Sequence, residues 1–449
     1  MNHIYIQYMY SYPHKTAYRP LAGVNLKDYG ERLKGKGHGL YVHIPFCETK
    51  CGYCNLFSVT GQRREAVDGY LLGVKRQLLQ YGEILKAVGA EFSDLTIGGG
   101  TPLLLEERQL EQVFSMIWDH VSFEKHKTIV IETAPNQTTR GKLSILKEMG
   151  VTRVSMGIQS FCQEELAALR RNHGADQARR ALELLKSFDF PCVNLDFIYG
   201  IPGQTVGSLL KSLEEAVRFD PEEVFLYPLY VKHGAGLVKD VREGMVLDPE
   251  KAFEEYEEAG AYLKSQGYRQ DSMRRFVRKQ GDGTGDQTEG REFSDCGFGT
   301  SLALGCGGRS YLGNLHFCTP YAITAGECLK ELKAFEETED FTWIRHGMIL
   351  SREEEKRRYV IRHLLIRPGL PLGRYKRAFG TEAQKDFPIL KQWIDQGLAV
   401  LRENDMETGE SEPCIVLTEK GLGLSDYLGP QLISPEVGRR MKEWDDVHG

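Results

Sequence analysis

Short apolar runs rich in β-branched and aromatic residues recur through the first half of the chain. They are LYVHIPF (40–46), DLTIGGG (94–100), TIVIETAP (128–135), RVSMGIQS (153–160), CVNLDFIYG (192–200) and VFLYPLYV (224–231). Each is short and most end at Gly or Pro, which predicts strands. Several are apolar almost throughout, as parallel strands covered on both faces are. Helical periodicity fills the gaps. Leu110, Val113, Phe114, Ile117 and Trp118 share one helix face, and Leu210, Leu213 and Val217 repeat the spacing. Asp248 and Pro249 open a further helix as N-cap and first residue. About six βα units over residues 36–265 predict an α/β fold, an incomplete, TIM-like (β/α)6 barrel. A flat doubly wound sheet is the rival arrangement.

The pattern changes after residue 265. GDGTGDQTEG (281–290) reads as a loop, since the spacing of Asp282 and Asp286 is not that of a calcium loop. FGTSLALGCGGRSYLG (298–313) is Gly-rich, yet no GxGxxG opens a helix there, so a dinucleotide site is a weak reading. Residues 266–345 therefore read as an extension of the barrel. From 346 to 449, short helices precede a predicted hairpin (LAVLREND and PCIVLTEKG), the outline of a small α+β winged-helix-like domain. Ser351 and Glu354 form a capping-box pattern at its first helix. Arg352, Lys356, Arg357, Arg358 and Arg362 make that helix basic, which fits a solvated face or a DNA-binding one. Residues 1–35 remain as an N-terminal arm or lid.

A net charge of -6 and a pI of about 6.1 over 449 residues do not advertise a nucleic-acid partner. No run of about 18 apolar residues predicts a membrane span, and the N-terminus lacks the charged and apolar regions of a signal peptide, so a cytoplasmic protein is expected. In that compartment ten cysteines read as thiols and metal ligands rather than a disulfide frame.

Three of those cysteines, Cys47, Cys51 and Cys54, crowd into HIPFCETKCGYCNLF (43–57). Buried structural thiols, zinc and an iron–sulfur cluster are the three readings. Structural zinc needs a fourth Cys or His to close its tetrahedron, and His43 lies on a strand before the loop. Thiolates spaced C-x3-C-x2-C can hold three irons of a four-iron cluster and leave one iron open to a small molecule. The predicted strand ends add to this. Gly99, Gly100 and Thr101 follow the second strand, Glu132 ends the third, Gln159 the fourth and Asp196 the fifth. In a βα barrel such positions converge on one mouth. The glycines admit close backbone approach, the two carboxylates accept from hydroxyls or an ammonium, and Gln159 both donates and accepts. Arg171 can fork onto a carboxylate, and Tyr53 offers an aromatic face.

YVHIPFC with the next two cysteines, GGGTP, VSMGIQSF and NLDFIYGIPGQT, in this order and spacing, resemble the radical S-adenosylmethionine (SAM) enzymes. The resemblance is to the branch of oxygen-independent coproporphyrinogen III oxidases and heme chaperones, and it covers nearly the whole chain. It implies a [4Fe–4S] cluster on Cys47, Cys51 and Cys54, with SAM chelated at the open iron. One electron from the cluster then breaks a sulfonium–carbon bond and yields a 5′-deoxyadenosyl radical that abstracts hydrogen from substrate. It implies that Tyr41, Tyr53, Gly99, Gly100, Thr101, Glu132, Gln159, Arg171 and Asp196 surround SAM. It also implies an electron donor such as flavodoxin or ferredoxin and a small-molecule substrate, a porphyrin, a heme-like tetrapyrrole or a methyl acceptor. The match has two departures. The oxidases carry a further cysteine two residues after the third, where this chain has Leu56, as the heme chaperones also lack it. YSYPHKTAY (10–18) resembles instead the YTSYPTA segment of the oxidases and of heme-degrading methyltransferases of the same branch. Methyltransferases of the branch bind a second SAM beside the first. The expectation is a radical SAM oxidoreductase or methyltransferase with its substrate open. The alternatives are a heme-binding chaperone and a metal-stabilised winged-helix regulator.

Overall fold

The computed structural model describes residues 4–9, 11–279, 299–405 and 411–448. The loop expected at 281–290, Tyr10 and Phe298 fall outside the described residues.

Six parallel strands form the centre of one large sheet: β1 (Gly35–Ile44), β2 (Ala90–Gly99), β3 (Phe123–Thr133), β4 (Arg153–Gln159), β5 (Cys192–Tyr199) and β6 (Glu223–Pro228). They lie side by side in chain order. The register runs Leu40↔Leu95, Leu95↔Ile129, Ile131↔Val154, Leu195↔Met156 and Leu195↔Val224. Strand, helix and next strand are all apolar enough to be covered on both faces, and Leu40, Val42, Leu95, Ile97, Ile131, Val154, Leu195 and Leu226 are fully buried. The helix Glu107–His120 buries Leu110, Val113, Phe114 and Ile117 and leaves Trp118 half-buried. In Val206–Val217 the buried side is Leu209, Ser212, Leu213 and Ala216, so Leu210 and Val217 flank the face that the spacing predicted they would occupy. The helix Pro249–Ser265 is capped by Asp248, whose Oδ1 accepts from the amides of Glu250 and Lys251.

The sheet is wider than six strands, with thirteen in all. The Gly-rich stretch supplies a seventh parallel strand, Ser301–Leu304, which pairs with β1 (Leu302↔Leu40, Ala303↔Tyr41). Arg309–Leu312, Leu315–Cys318, Trp343–Ile349 and Arg19–Asn25 extend that side antiparallel, and Arg275–Arg278 and Tyr268–Gln270 flank β6. The first and last strands do not pair, so the result is an open, partial barrel.

The C-terminal region packs four helices, from Arg352–Leu364 to Ile389–Asp395, on a three-stranded sheet of Leu370–Pro371, Ser411–Leu417 and Ala399–Asp405, a winged-helix-like arrangement. Its first helix does not present the expected basic face. Arg352 pairs with Glu355, Lys356 with Asp386 (2.8 Å) and Arg357 with Glu353 (2.8 Å), while Arg358 turns inward over the Tyr311 ring. The capping box is half formed. Ser351 Oγ accepts from the Glu354 amide (3.3 Å), but the Glu354 carboxylate turns instead to Tyr12 and Ser434.

That last contact carries the N-terminal arm. Ile4, Met9, Tyr12, Ala17 and Tyr18 belong to the same apolar cluster as Val360, Leu364, Leu428 and Val437. Arg19 bonds the Arg440 carbonyl and Glu443 (3.0 Å). The arm therefore joins the C-terminal core while its middle reaches toward the barrel.

Candidate functional site

The residues expected to act stand in the C-terminal halves of β1–β5 or in the connections that follow, Arg171 after the short helix Gln163–Ala168, because parallel strands deliver every C-terminus to the same edge. β1 leads through Pro45 into the cysteine loop. Val59–Thr60 pairs with Phe46–Cys47 and closes the loop on itself.

Four neighbouring segments clamp this loop. Gly52 donates to the Leu169 carbonyl (2.9 Å) and accepts from the Leu237 amide (2.7 Å). Gly100 and Thr101 donate to Ile44 and Phe46 (both 2.8 Å). Glu48 Oε2 receives the side-chain amides of Gln137 (2.8 Å), Asn172 (3.1 Å) and Asn136. The expected set did not include Glu48. Its signal, a lone acid inside the C-x3-C spacer, has no periodicity to draw attention to it.

Gly99 and Gly100 are required sterically. Gly99 has φ +120°, and a Cβ there would lie 2.7 Å from the His43 ring. At Gly100 a Cβ would lie 2.6 Å from the Phe46 carbonyl and 2.9 Å from Cys47 Sγ. The loop after β2 thus passes against the cysteine loop with no room for a side chain. Thr101 Oγ1 points at Cys47 Sγ (3.7 Å). Glu132 Oε2 accepts from the Gly99 amide (3.0 Å), which fixes the carboxylate beneath the glycines.

His43, also outside the expected set, joins Tyr41 to this group. Its Nε2 pairs with the Phe57 carbonyl (2.9 Å) and its Nδ1 with the Tyr41 hydroxyl (3.1 Å). Burial pushes the ring down to about 4, so it stays neutral.

A second group forms across β4 and β5. Arg171 Nη1 donates to Cys51 Sγ (3.1 Å) and Nη2 to the Gly157 carbonyl (2.8 Å), while its buried Nε has no partner. Gln159 ends β4 in the left-handed region (φ 71°). Asp196 lies beside Gly157 in register, accepting from Asn194 (2.8 Å) and Ser155 (3.5 Å). Burial pushes its carboxyl up to about 6 against those two bonds. Tyr53 packs on Leu169, Ile198 and Ile201. Two half-sites therefore flank the cysteine loop: Tyr41, Gly99, Gly100, Thr101 and Glu132 on one side; Tyr53, Gln159, Arg171 and Asp196 on the other.

The donor set fits an iron–sulfur cluster. Three thiols share one loop, and burial raises the Cys47 thiol and pushes Cys54 up to about 11. Among the described residues no group of three Cys, His, Asp or Glu side chains is placed to hold a metal ion as it stands. In a four-iron cluster each thiolate binds a different iron. The orphaned Arg171 Nε and the glycine cradle leave a cationic donor and open backbone beside the loop.

A third cluster lies beside the cysteine loop. Tyr321 donates to the carbonyl of Asn55, one residue past Cys54 (3.3 Å). Lys15 Nζ sits 3.9 Å above the Tyr321 ring centroid, and His14 and Trp444 meet the same ring at 5.9 Å and 5.1 Å. The arm, the extension, the last helix and the cysteine loop meet at this tyrosine.

The radical SAM superfamily model matches residues 41–216. The chain is 32% identical over 254 residues to the heme chaperone HemW of Mycobacterium tuberculosis (strain H37Rv), covering 56% of this chain and 65% of that protein, just under two thirds. It is 26% identical over 377 residues to the oxygen-independent coproporphyrinogen III oxidase of Escherichia coli (strain K12), covering 80% of each. The solved structure of coproporphyrinogen III oxidase (HemN) from Escherichia coli shares the fold, with TM-score 0.79 at 21% identity over 95% of this chain and 96% of that one. Among the described residues no helix is long and apolar enough to cross a membrane.

Proposed function

The chain belongs to the radical SAM superfamily, in the branch of coproporphyrinogen III oxidases and heme chaperones, and from that premise we propose that it cleaves SAM reductively to act on a carboxylate-bearing tetrapyrrole. Members of the family bind a [4Fe–4S] cluster and SAM. When bound, the cluster supplies the electron that breaks SAM's sulfonium–carbon bond. In our reading Cys47, Cys51 and Cys54 hold it. A single observation carries the assignment: the cysteine loop is clamped between two half-sites whose polar groups suit opposite ends of SAM.

Gly99, Gly100 and Thr101 admit the methionine end closely, and Glu132, fixed by the Gly99 amide, accepts from its ammonium. Arg171 offers its free Nε to an anionic group and shields the charge on Cys51. Asp196 accepts from ribose hydroxyls, Gln159 orients them, and Tyr53 gives adenine an apolar face. Tyr41 is oriented by His43 toward the same space. Tyr321 and Trp444 provide flat aromatic surface next to Cys54, with Lys15 above. An electron donor of the flavodoxin or ferredoxin type supplies the reducing equivalent.

The test is anaerobic reconstitution with iron, sulfide, SAM and dithionite, then assays on porphyrins and heme. Formation of 5′-deoxyadenosine dependent on a tetrapyrrole supports the reading; the absence of SAM cleavage with a complete cluster overturns it. Leu56 and the relatives named as heme chaperones favour a second reading, in which the chain holds heme and turns over little SAM. Tight heme binding without SAM consumption would distinguish it.

A further inference from the structure

Among the described residues Lys15 has no carboxylate in ion-pairing contact. It lies half-buried in the arm, and its contact among the described residues is the face of Tyr321. The groups whose charge it feels are Arg309, Cys318, Cys328 and Cys54, and it acts in turn on His43 and His14. Burial first, and Arg309 second, push it down to about 7. Leaving an ammonium out of water without a counter-ion is costly, and a cation–π contact returns only part of that cost.

Nearby cations add to the imbalance. Arg309 donates to Ser11 and to the Pro13 carbonyl (3.4 Å), and Lys232 lies 5.1 Å from the Tyr230 ring. Both, with Lys15, depress His14. Lys232 has Asp426 and Asp445 within electrostatic reach, whereas the strongest influences on Lys15 are burial, Arg309 and three thiols. The arm cannot easily swing the lysine away, because Tyr12 is tied to Glu354 and Arg19 to Glu443 on either side.

We propose that Lys15 is a specificity determinant that captures a carboxylate of the molecule bound over the cysteine loop. This rests on the tetrapyrrole reading for the source of that carboxylate. The other source is the carboxylate of SAM, and the experiment separates them.

The full chain, reconstituted anaerobically, is titrated with coproporphyrin III, with its tetramethyl ester and with SAM. Wild type is compared with Lys15→Met, which keeps the aliphatic stem, and with Lys15→Arg. Lys15→Met should weaken coproporphyrin III binding roughly ten- to a hundredfold, the range for one charged hydrogen bond. It should leave the ester and SAM unchanged, and Lys15→Arg should restore most of the loss. Equal binding of coproporphyrin III by wild type and Lys15→Met overturns the assignment while the tetrapyrrole reading stands. Loss of SAM affinity with porphyrin binding intact overturns it in favour of the cofactor's carboxylate. If wild type binds no porphyrin, the tetrapyrrole reading fails, and succinate tests the capture alone. Thermal stabilisation by succinate that Lys15→Met abolishes supports it; equal stabilisation, or none, overturns it.

Discussion

Arg171 places one guanidinium nitrogen 3.1 Å from Cys51 Sγ and another on the Gly157 carbonyl, so a fixed positive charge borders the middle cysteine of the loop. Hydrogen bonds and cations at cluster sulfurs favour the reduced state. Arg171→Met should retain iron but shift the cluster's reduction potential to more negative values, as read by an EPR-monitored redox titration. An unchanged potential would confine Arg171 to bracing the β4 loop.

Anaerobically reconstituted protein should contain about four irons per chain and show a broad visible band, and Cys51→Ala should remove that band. Stoichiometric zinc with no iron uptake would refute the cluster.

Asp196 gives a pH dependence with a defined sign. Its folded value is raised from 3.8 to about 6, chiefly by burial. The folded chain therefore holds this proton more tightly than the unfolded chain. Stability from this group is full below about 4 and is lost as pH rises through 6, by up to ~3 kcal/mol in the ligand-free protein. Asp196→Asn should be the more stable protein at pH 7 and lose that advantage at pH 4, while binding SAM more weakly. Denaturant unfolding at the two pH values measures the first effect and a SAM titration the second; equal unfolding midpoints for variant and wild type at pH 7 would contradict the buried carboxylate.

Much of this was legible beforehand, for physical reasons. Strands buried on both faces leave apolar runs, which is why β1–β6 and their order could be read. Residues at strand ends inherit their convergence from parallel topology, so Gly99, Glu132, Gln159 and Asp196 could be placed before any coordinates. Glu48 and Tyr321 could not, because what makes each of them matter is a partner from a distant segment, and His43 could not, because its tie to Phe57 exists only once the cysteine loop has turned back on β1. The seventh parallel strand, Ser301–Leu304, was hidden by the glycines that flank it, and Gly305 and Gly307 just after it let the chain pass close to His43 and Tyr70. The face of Val206–Val217 was offset because small residues, Ser212 and Ala216, are among its buried positions and carry no hydrophobic signal as large as that of Leu210 or Val217.

Coproporphyrinogen III should not be efficiently decarboxylated, because Leu56, 46% exposed, stands where the oxidases carry a further thiol. Mass spectrometry of an anaerobic reaction checks this, and protoporphyrinogen IX as the main product would reverse it.

The arm's tie to the C-terminal core predicts a structural cost. Tyr12→Phe removes the donor to Glu354 and the acceptor for the Ser434 amide, and should destabilise the fold by about 1–3 kcal/mol. Deleting residues 1–20 should cost more, because Tyr18 and Met9 leave the shared cluster with it. Chemical denaturation compares the three proteins; an unchanged midpoint for the deletion would show the arm packs only loosely.

Tyr12 and its partners Glu354, Ser434 and Val437 lie at opposite ends of the chain. The same arm also rests on the barrel, Tyr5 against Tyr199 and Tyr8 against Tyr227. It is therefore a strap fastened at both ends: loosening Tyr12 from Glu354 would free the C-terminal core from the barrel as well as the arm from its pocket.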